Sequence, residues 1–262
     1  LHQAGLNILE SNQFGDIKTG RFFMRVAFTT ADPSSDVKQA DLKEEFKEIS
    51  DQFGMDWKLF DMNVNTPAVI MVSKFDHCLV DLLYRRRIGT LKMDIAAVIS
   101  NHDTTREIVN RENIPFHHIP VTSDTKQDAE DKIRKIIADT GAELIILARY
   151  MQILSTDMAN SYPGQIINIH HSFLPSFKGA EPYSQAYHRG VKMIGATAHY
   201  VTPNLDEGPI IAQQVVPVRH DMSVEDMIGA GQEIEQSVMA KAIRAHTEHR
   251  ILLNEGKTVV FD

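Results

Sequence analysis

One cysteine, Cys78, stands in 262 residues, so an internal disulfide framework is unavailable and the chain suits a reducing compartment; the cytoplasm is the expected location. No apolar stretch reaches the length that a helix needs to cross a bilayer, so no membrane partner is expected. Positive charge is scarce. The 27 Lys and Arg against 35 Asp and Glu leave a net charge of −8, which argues against a general phosphate-binding surface and against nucleic acid as a partner. Repeats and low-complexity tracts are also missing. What is there is 43% hydrophobic and 24% charged, an ordinary globular composition with enough chain for one large core or two modest ones.

The hydropathy pattern changes once along the chain. Up to about residue 64 it alternates as strand, strand, helix, strand. Asn7 to Phe14 reads as a strand, Asp16 to Gly20 as a turn, and Arg21 to Thr30 as a second strand with Phe22, Met24, Val26 and Phe28 on one face. A cap at Ser34 or Ser35 would open a helix through Phe53, where Leu42, Phe46, Ile49 and Phe53 form one stripe. Gly54 ends it, and Met55 to Met62 reads as the last strand. With Leu1 to Gly5 as the tail of a helix, this is a ferredoxin-like α+β module lacking its first strand. The chain opens on Leu1 rather than Met, and residues ahead of it are expected to carry that strand.

From Pro67 onward, strands alternate with helices. Apolar strands fall at Ala68 to Val72, Ile95 to Ile99, Leu144 to Ala148 and Ile166 to Ile169. Helical stretches lie near Cys78 to Arg87, Thr104 to Glu112 and Asp128 to Asp139. That order implies right-handed crossovers and a Rossmann-like, mainly parallel α/β domain over 67–262. A long helix from Ser223 to about His249 follows, with Met227, Ile234, Val238, Ala242 and Ala245 along one side.

The residues that carry chemistry sit in this second part. Asn168 and His170 lie two apart in the run Ile166-Ile-Asn-Ile-His-His-Ser-Phe-Leu-Pro175, so both point to one face of a buried strand. With 12 His in the chain, roughly every second sequence of this composition holds an Asn-x-His pair by chance, so the context decides. Ser172 and Pro175 end the strand, which puts both polar groups at its carboxyl edge, where open α/β sheets bind ligands. Asp206 lies in a turn-forming stretch, Pro203 to Pro209, after another apolar strand from Met193 to Val201. An amide donor, an imidazole and a carboxylate on one point suit acyl transfer.

Residues 68 to 262 resemble the catalytic domain of the folate-dependent formyltransferases. Asn168-Ile-His170, Phe173-Leu-Pro175 and Leu205-Asp-Glu-Gly-Pro209 carry the likeness. The module over 1–64 resembles an ACT domain. Within the family, the double histidine His170-His171 before Ser-Phe-Leu-Pro points to the branch whose acceptor is water. The loop after the first strand of the domain agrees. Transferases acting on a phosphorylated amine have a glycine-rich phosphate loop there, whereas Val72-Ser-Lys-Phe-Asp-His-Cys78 has no glycine and carries Asp76, which would repel a phosphate.

The resemblance implies hydrolysis of 10-formyltetrahydrofolate to formate and tetrahydrofolate, with formate supplied to purine synthesis. The folate is the substrate, and no cofactor or metal is expected. Asn168 would donate to the tetrahedral oxyanion, His170 would stabilise it or shuttle the proton to N10, and Asp206 would orient or deprotonate the water; which of the last two takes the first proton stays open. Two loops of the family hold the pterin and match Met151, Gln152, Ile153 and Leu154 and then Val201, Thr202 and Asn204. Gln152 stands where arginine is common, so any charged contact from that side chain is lost. The ACT likeness implies homo-oligomers and an amino-acid effector.

Plainer readings compete at each position. Asn168 and His170 would serve equally as polar residues finishing a strand, and Asp206 as a turn former. His170, His171, His188 and His199 lack the acidic or cysteine ligands at the spacings a zinc site uses. Arg85-Arg-Arg87 suits a solvated helix end, with an anchor for the folate glutamate tail as the functional alternative. His117-His118, between two prolines, reads as an exposed loop, and Cys78 as a helix-packing residue. Two other functions remain: a formyltransferase with an unphosphorylated amine acceptor, and a non-catalytic folate or amino-acid sensor. Retention of Asn168, His170 and Asp206 together argues against the sensor.

Overall fold

A computed structural model describes residues 1, 4–32, 37–174 and 182–262. They divide into two compact units, Leu1–Val64 with Phe261–Asp262, and Asn65–Val260.

In the first unit, β1 (Leu6–Asp16) and β2 (Arg21–Thr30) form an antiparallel ribbon from Leu6 opposite Thr30 to Asp16 opposite Arg21, with one register shift between Ile8 and Glu10. Helix α1 (Gln39–Phe53) stops at Gly54, whose left-handed backbone (φ 59°) lets the Gly54 N–H reach back to the Asp51 carbonyl. The expected caps Ser34 and Ser35 lie outside the described residues, and Lys38 at the helix start offers no side-chain cap. Met55 to Met62 is not a strand, contrary to the sequence pattern. A strand needs a hydrogen-bonded neighbour, and β1 and β2 pair only with each other among the described residues. The segment is held instead by Trp57, edge-on to Phe46 with ring centroids 4.8 Å apart, and by the Gln39 amide on the Leu59 carbonyl.

The second unit is built on seven strands: β3 (Thr66–Val72), β4 (Met93–Ser100), β5 (Phe116–His118), β6 (Leu144–Leu147), β7 (Ile166–His170), β8 (Met193–Tyr200) and β9 (Ile210–Pro217). Their order is β5-β4-β3-β6-β7-β8-β9; the first five are parallel, and β8 runs antiparallel to both of its neighbours, β7 and β9. The chain builds outward from β3 on one side, then crosses back to β6 on the other, leaving a crevice at the strands' carboxyl ends. His117 and His118 are not loop residues: they form the edge strand β5, opposite Ile99 and Ser100. The flanking prolines misled the reading, yet the Pro115 carbonyl itself accepts from Val98 N–H, and an edge tolerates residues that cannot donate.

Helices cover both faces of the sheet, which is why its central strands are apolar throughout rather than alternating. Ala68, Ile70 and Val72 of β3 pack with Leu79, Leu82 and Leu83 of α2 (His77–Arg87) and with Met227, Ile234, Val238 and Ala242 of α7 (Val224–Thr247). Val69 and Met71 face Ala129, Ile133 and Ile137 of α4 (Lys126–Thr140) and Met158 of α5 (Thr156–Ser161). Cys78 is buried in the α2–α7 layer, as a packing residue would be. α7 starts with a capping box, in which the Ser223 hydroxyl accepts from Asp226 N–H while the Asp226 carboxylate accepts from Ser223 N–H. The long apolar stripe does the rest.

Candidate active site

The alternation along β7 sorts its side chains. Ile167 and Ile169 join the α2–α7 layer and Ile166 joins the α4–α5 layer, so Asn168 and His170 turn toward the α4–α5 side at the strand's carboxyl end. The antiparallel neighbour β8 sets His199 directly opposite Asn168. Asp206 comes from the loop after β8. Its backbone is left-handed (φ 55°), a conformation that Asp tolerates better than most residues. The loop is drawn in tightly: the Pro209 carbonyl accepts from Tyr200 N–H, and a Cβ at Gly208 would collide with the Tyr200 carbonyl oxygen. Glycine at 208 is therefore what allows the carboxylate to reach β7 and β8.

The three expected residues do come together, and a fourth joins them. The two oxygens of Asp206 are shared between two imidazoles, Oδ2 at 3.3 Å from His170 Nδ1 and Oδ1 at 3.5 Å from His199 Nε2. Asn168 Nδ2 stands 3.2 Å from His199 Nε2, and the far nitrogen, His199 Nδ1, donates to the Tyr200 carbonyl at 2.9 Å. His170 Nε2 is buried with no hydrogen-bond partner among the described residues. Burial pushes the Asp206 carboxyl upward, but hydrogen bonds and charge from His170 and His199 outweigh it and hold the group well below the usual carboxylate range. The result is a carboxylate that stays ionised, one imidazole anchored on both nitrogens, and a second with a ring nitrogen to spare.

His199 is the residue that sequence reasoning passed over. It entered only in a rejected zinc set, although it stands in Gly195-Ala-Thr-Ala-His-Tyr-Val201 as an imidazole among apolar and hydroxyl-bearing side chains. Of the other histidines weighed against zinc, His171 lies beside His170 (ring centroids 5.2 Å), and His188 is exposed on α6 (Pro182–Arg189).

Two loops flank this centre. Met151 to Leu154 follow β6, and Val201 to Asn204 follow β8; Leu154 and Val201 both lean on the α4–α5 layer. Met151 and Ile153 expose 52% and 61% of their surface. Gln152 and Thr202 are half-buried and Asn204 is exposed, its carbonyl accepting from the Thr202 hydroxyl. The first loop is pinned from below: Ser73 Oγ accepts from Met151 N–H at 2.9 Å and donates to Asn101 Oδ1 at 2.6 Å. Arg85 and Arg87 are engaged elsewhere, with Asp81 and Glu112.

Comparison with known proteins bears on this arrangement. The formyl transferase family pattern matches residues 67–243. A protein of Corynebacterium sp. (strain P-1) named formyltetrahydrofolate deformylase is 50% identical over 97% of this chain and 88% of its own length. The crystal structure of a formyltetrahydrofolate deformylase from Pseudomonas syringae pv. tomato superposes with a TM-score of 0.95 at 44% identity, covering 100% of this chain and 87% of that one. Glycinamide ribonucleotide transformylase 1 from Symbiobacterium toebii is similar at 28% identity and a TM-score of 0.71, over 80% of this chain and 99% of its own.

Proposed function

Because the chain belongs to the formyltetrahydrofolate deformylase family, within the formyl transferases, we propose that the cluster around Asp206 removes the formyl group of 10-formyltetrahydrofolate with water. It is a hydrolase, releasing formate and tetrahydrofolate and so feeding formate to purine synthesis. Most weight rests on the double grip of His170 and His199 on one ionised carboxylate, with the Asn168 amide alongside.

Chemistry assigns the roles. Water adds to the formyl carbon, and the carbonyl oxygen becomes an oxyanion. An amide nitrogen has two N–H donors. Asn168 turns one of them to the oxyanion, where one such donor is worth about 10²–10³ in rate. Asp206 fixes the proton of His170 on Nδ1, which leaves Nε2 to take a proton from water and return it to N10 as the C–N bond breaks. The pterin lies on Met151, Gln152, Ile153 and Leu154 and under Val201, Thr202 and Asn204. No cofactor takes part in these steps.

Residues 1–64 act as an ACT-like regulatory domain in a homo-oligomer that responds to a small amino acid, and the protein works in the cytoplasm. Support for the regulatory reading comes from the strand–strand–helix order of β1, β2 and α1, and from the exposed Ile8, Leu9, Phe22 and Met24 of the ribbon, which an oligomer would cover. No helix among the described residues is long and apolar enough to cross a membrane.

The deciding assay mixes purified protein with 10-formyltetrahydrofolate and no acceptor, and follows formate. Steady turnover is expected. Turnover that begins only when an amine is added would assign the chain to the transferases instead, and binding without turnover would make it a sensor.

A further inference from the structure

A second acid–imidazole cluster lies in the same unit and takes no part in the steps above. Glu235, on α7, is 1% exposed. Its Oε2 is 2.8 Å from His77 Nε2 and 3.4 Å from Arg149 Nε, and its Oε1 accepts from the Tyr183 hydroxyl at 3.0 Å. The Arg149 guanidinium lies 5.5 Å from the Phe75 ring centroid and is itself nine-tenths buried. Its Nε and Nη1 make no well-aligned hydrogen bond among the described residues, the 3.4 Å approach to Glu235 being skewed. Arg149 also has a left-handed backbone (φ 63°), costly for a long side chain. Gly231, one turn before Glu235, leaves the space that Tyr183 fills.

A cation site is the obvious alternative, since His77, Cys78 and Glu235 bring ligand atoms within 4.8 Å of one another. The position a cation would take beside the carboxylate is already held by a guanidinium, and burial pushes the Cys78 thiol up, away from the thiolate that binds metals. The carboxylate is already matched by a buried positive charge. A buried ion pair adds little stability over apolar residues of the same size, so its presence calls for another reason.

Its position supplies one. His171 is the next residue after His170, so it turns to the opposite face of the chain. Its ring sits 5.2 Å from His170 and 6.4 Å from Tyr183, which bonds Glu235. The loops expected to hold the folate lean on the α4–α5 layer, whereas His171, Tyr183 and Glu235 belong to the α7 side. The folate itself covers one face of the formyl carbon, and a nucleophile must arrive over the other.

We infer that the His77–Arg149–Tyr183–Glu235 cluster, capped by Phe75, restricts the nucleophile to water by filling the α7 side of the site with buried side chains and leaving no free carboxylate oxygen there. This rests on the reading that Asn168, His170 and Asp206 act on the formyl carbon. An incoming amine needs room for its substituent and an acceptor for its N–H groups. Both oxygens of Glu235 are taken and the space is occupied, whereas a water molecule needs only about 30 Å³.

The test is a competition between water and methoxyamine, a small amine that is uncharged at neutral pH. Amine attack would form a bond from its nitrogen to the formyl carbon, break the bond to N10 and pass the amine proton to N10. The variants are R149G, which glycine's tolerance of positive φ should accommodate, and R149G/E235A, which removes both charges together. Wild type should give formate with only a small fraction of N-formylmethoxyamine. In the double variant the ratio of N-formylmethoxyamine to formate should rise about 10-fold or more, the discrimination that an obstruction of one methylene commonly provides. Formate release without amine should persist in both. An unchanged ratio in a folded, active variant overturns the inference, and so does loss of formate release without amine, which would tie the cluster to the reaction itself. If the double variant does not fold, R149G alone decides by the same ratio. Wild type that makes no formate without amine would sink the hydrolase reading rather than this one.

Discussion

Two carboxylates in one unit each meet an imidazole, and they differ in almost everything else. Asp206 keeps 20% of its side chain exposed and faces two imidazoles with no fixed cation; Glu235 keeps 1% and is tied to an arginine, a histidine and a tyrosine. Burial raises the Glu235 carboxyl, and His77 and Arg149 more than reverse this, so both acids stay ionised. One sits in a loop held by a tight glycine turn, the other on a long helix packed into the core. Residue type alone therefore assigns no role. A proton can move where a ring nitrogen is left without a partner, as at His170, and is held back where the carboxylate is locked beside a permanent cation, as at Glu235.

The comparison breaks first at Asp206. Asp206→Asn should lower kcat by about 10³–10⁴-fold with folate affinity little changed, since the amide cannot hold the proton on the correct nitrogen of His170. Tight-binding titration with a folate analogue separates the two quantities, and unchanged turnover would remove Asp206 from the mechanism. Glu235→Gln should do the reverse. It leaves the Arg149 charge buried without its partner, at a cost of about 3–5 kcal/mol in urea unfolding, far more than Asp206→Asn loses. Similar losses for the two variants would erase the distinction between a working and a locked carboxylate.

His199→Gln sharpens the contrast within the site. Its hydrogen bond to an ionised group is worth ~1.5–3 kcal/mol, so kcat/KM should fall about 10–100-fold while the fold holds. An effect below two-fold would make His199 a bystander. The smallest effect belongs to His171, between the clusters. Burial first, then the charges of Arg149 and His170, push it down to about 4, so it is uncharged in the folded protein at neutral pH. The unfolded chain takes up this proton near pH 6.5, and the folded one only near 4. Stability therefore drops as pH falls through that window, by on the order of 2 kcal/mol from this residue. His171→Phe should flatten that part of the decline in unfolding curves at pH 7 and pH 4.5, and an unchanged slope would contradict the assignment.

How far the sequence carried the structure follows from what each signal depends on. Strand β7 and its two polar residues were legible because an apolar run and a period of two are local. Asp206 was legible because its turn chemistry is local as well. His199 was not, because its value comes from standing opposite Asn168, and that requires knowing that β8 returns antiparallel. Arg149 was hidden for a different reason: nothing in Ala148-Arg-Tyr150 announces a positive φ. Glu235 did leave a trace. It falls on the same helical stripe as Met227, Ile234, Val238 and Ala242, so a charge in the apolar face of α7 was a signal of burial with a partner. The failed strand at Met55 to Met62 shows the opposite limit, since a suitable composition cannot make a strand without a neighbour.

The central claim is that water is the nucleophile at the carbon held beside His170 and Asp206. A single turnover with excess protein in ¹⁸O-enriched water, analysed by mass spectrometry of the released formate, tests it most directly. The account predicts formate carrying one oxygen from the solvent and one from the formyl group, with no amine in the mixture. Formate without solvent oxygen, or a formyl group that stays on the folate until an amine is supplied, would contradict it.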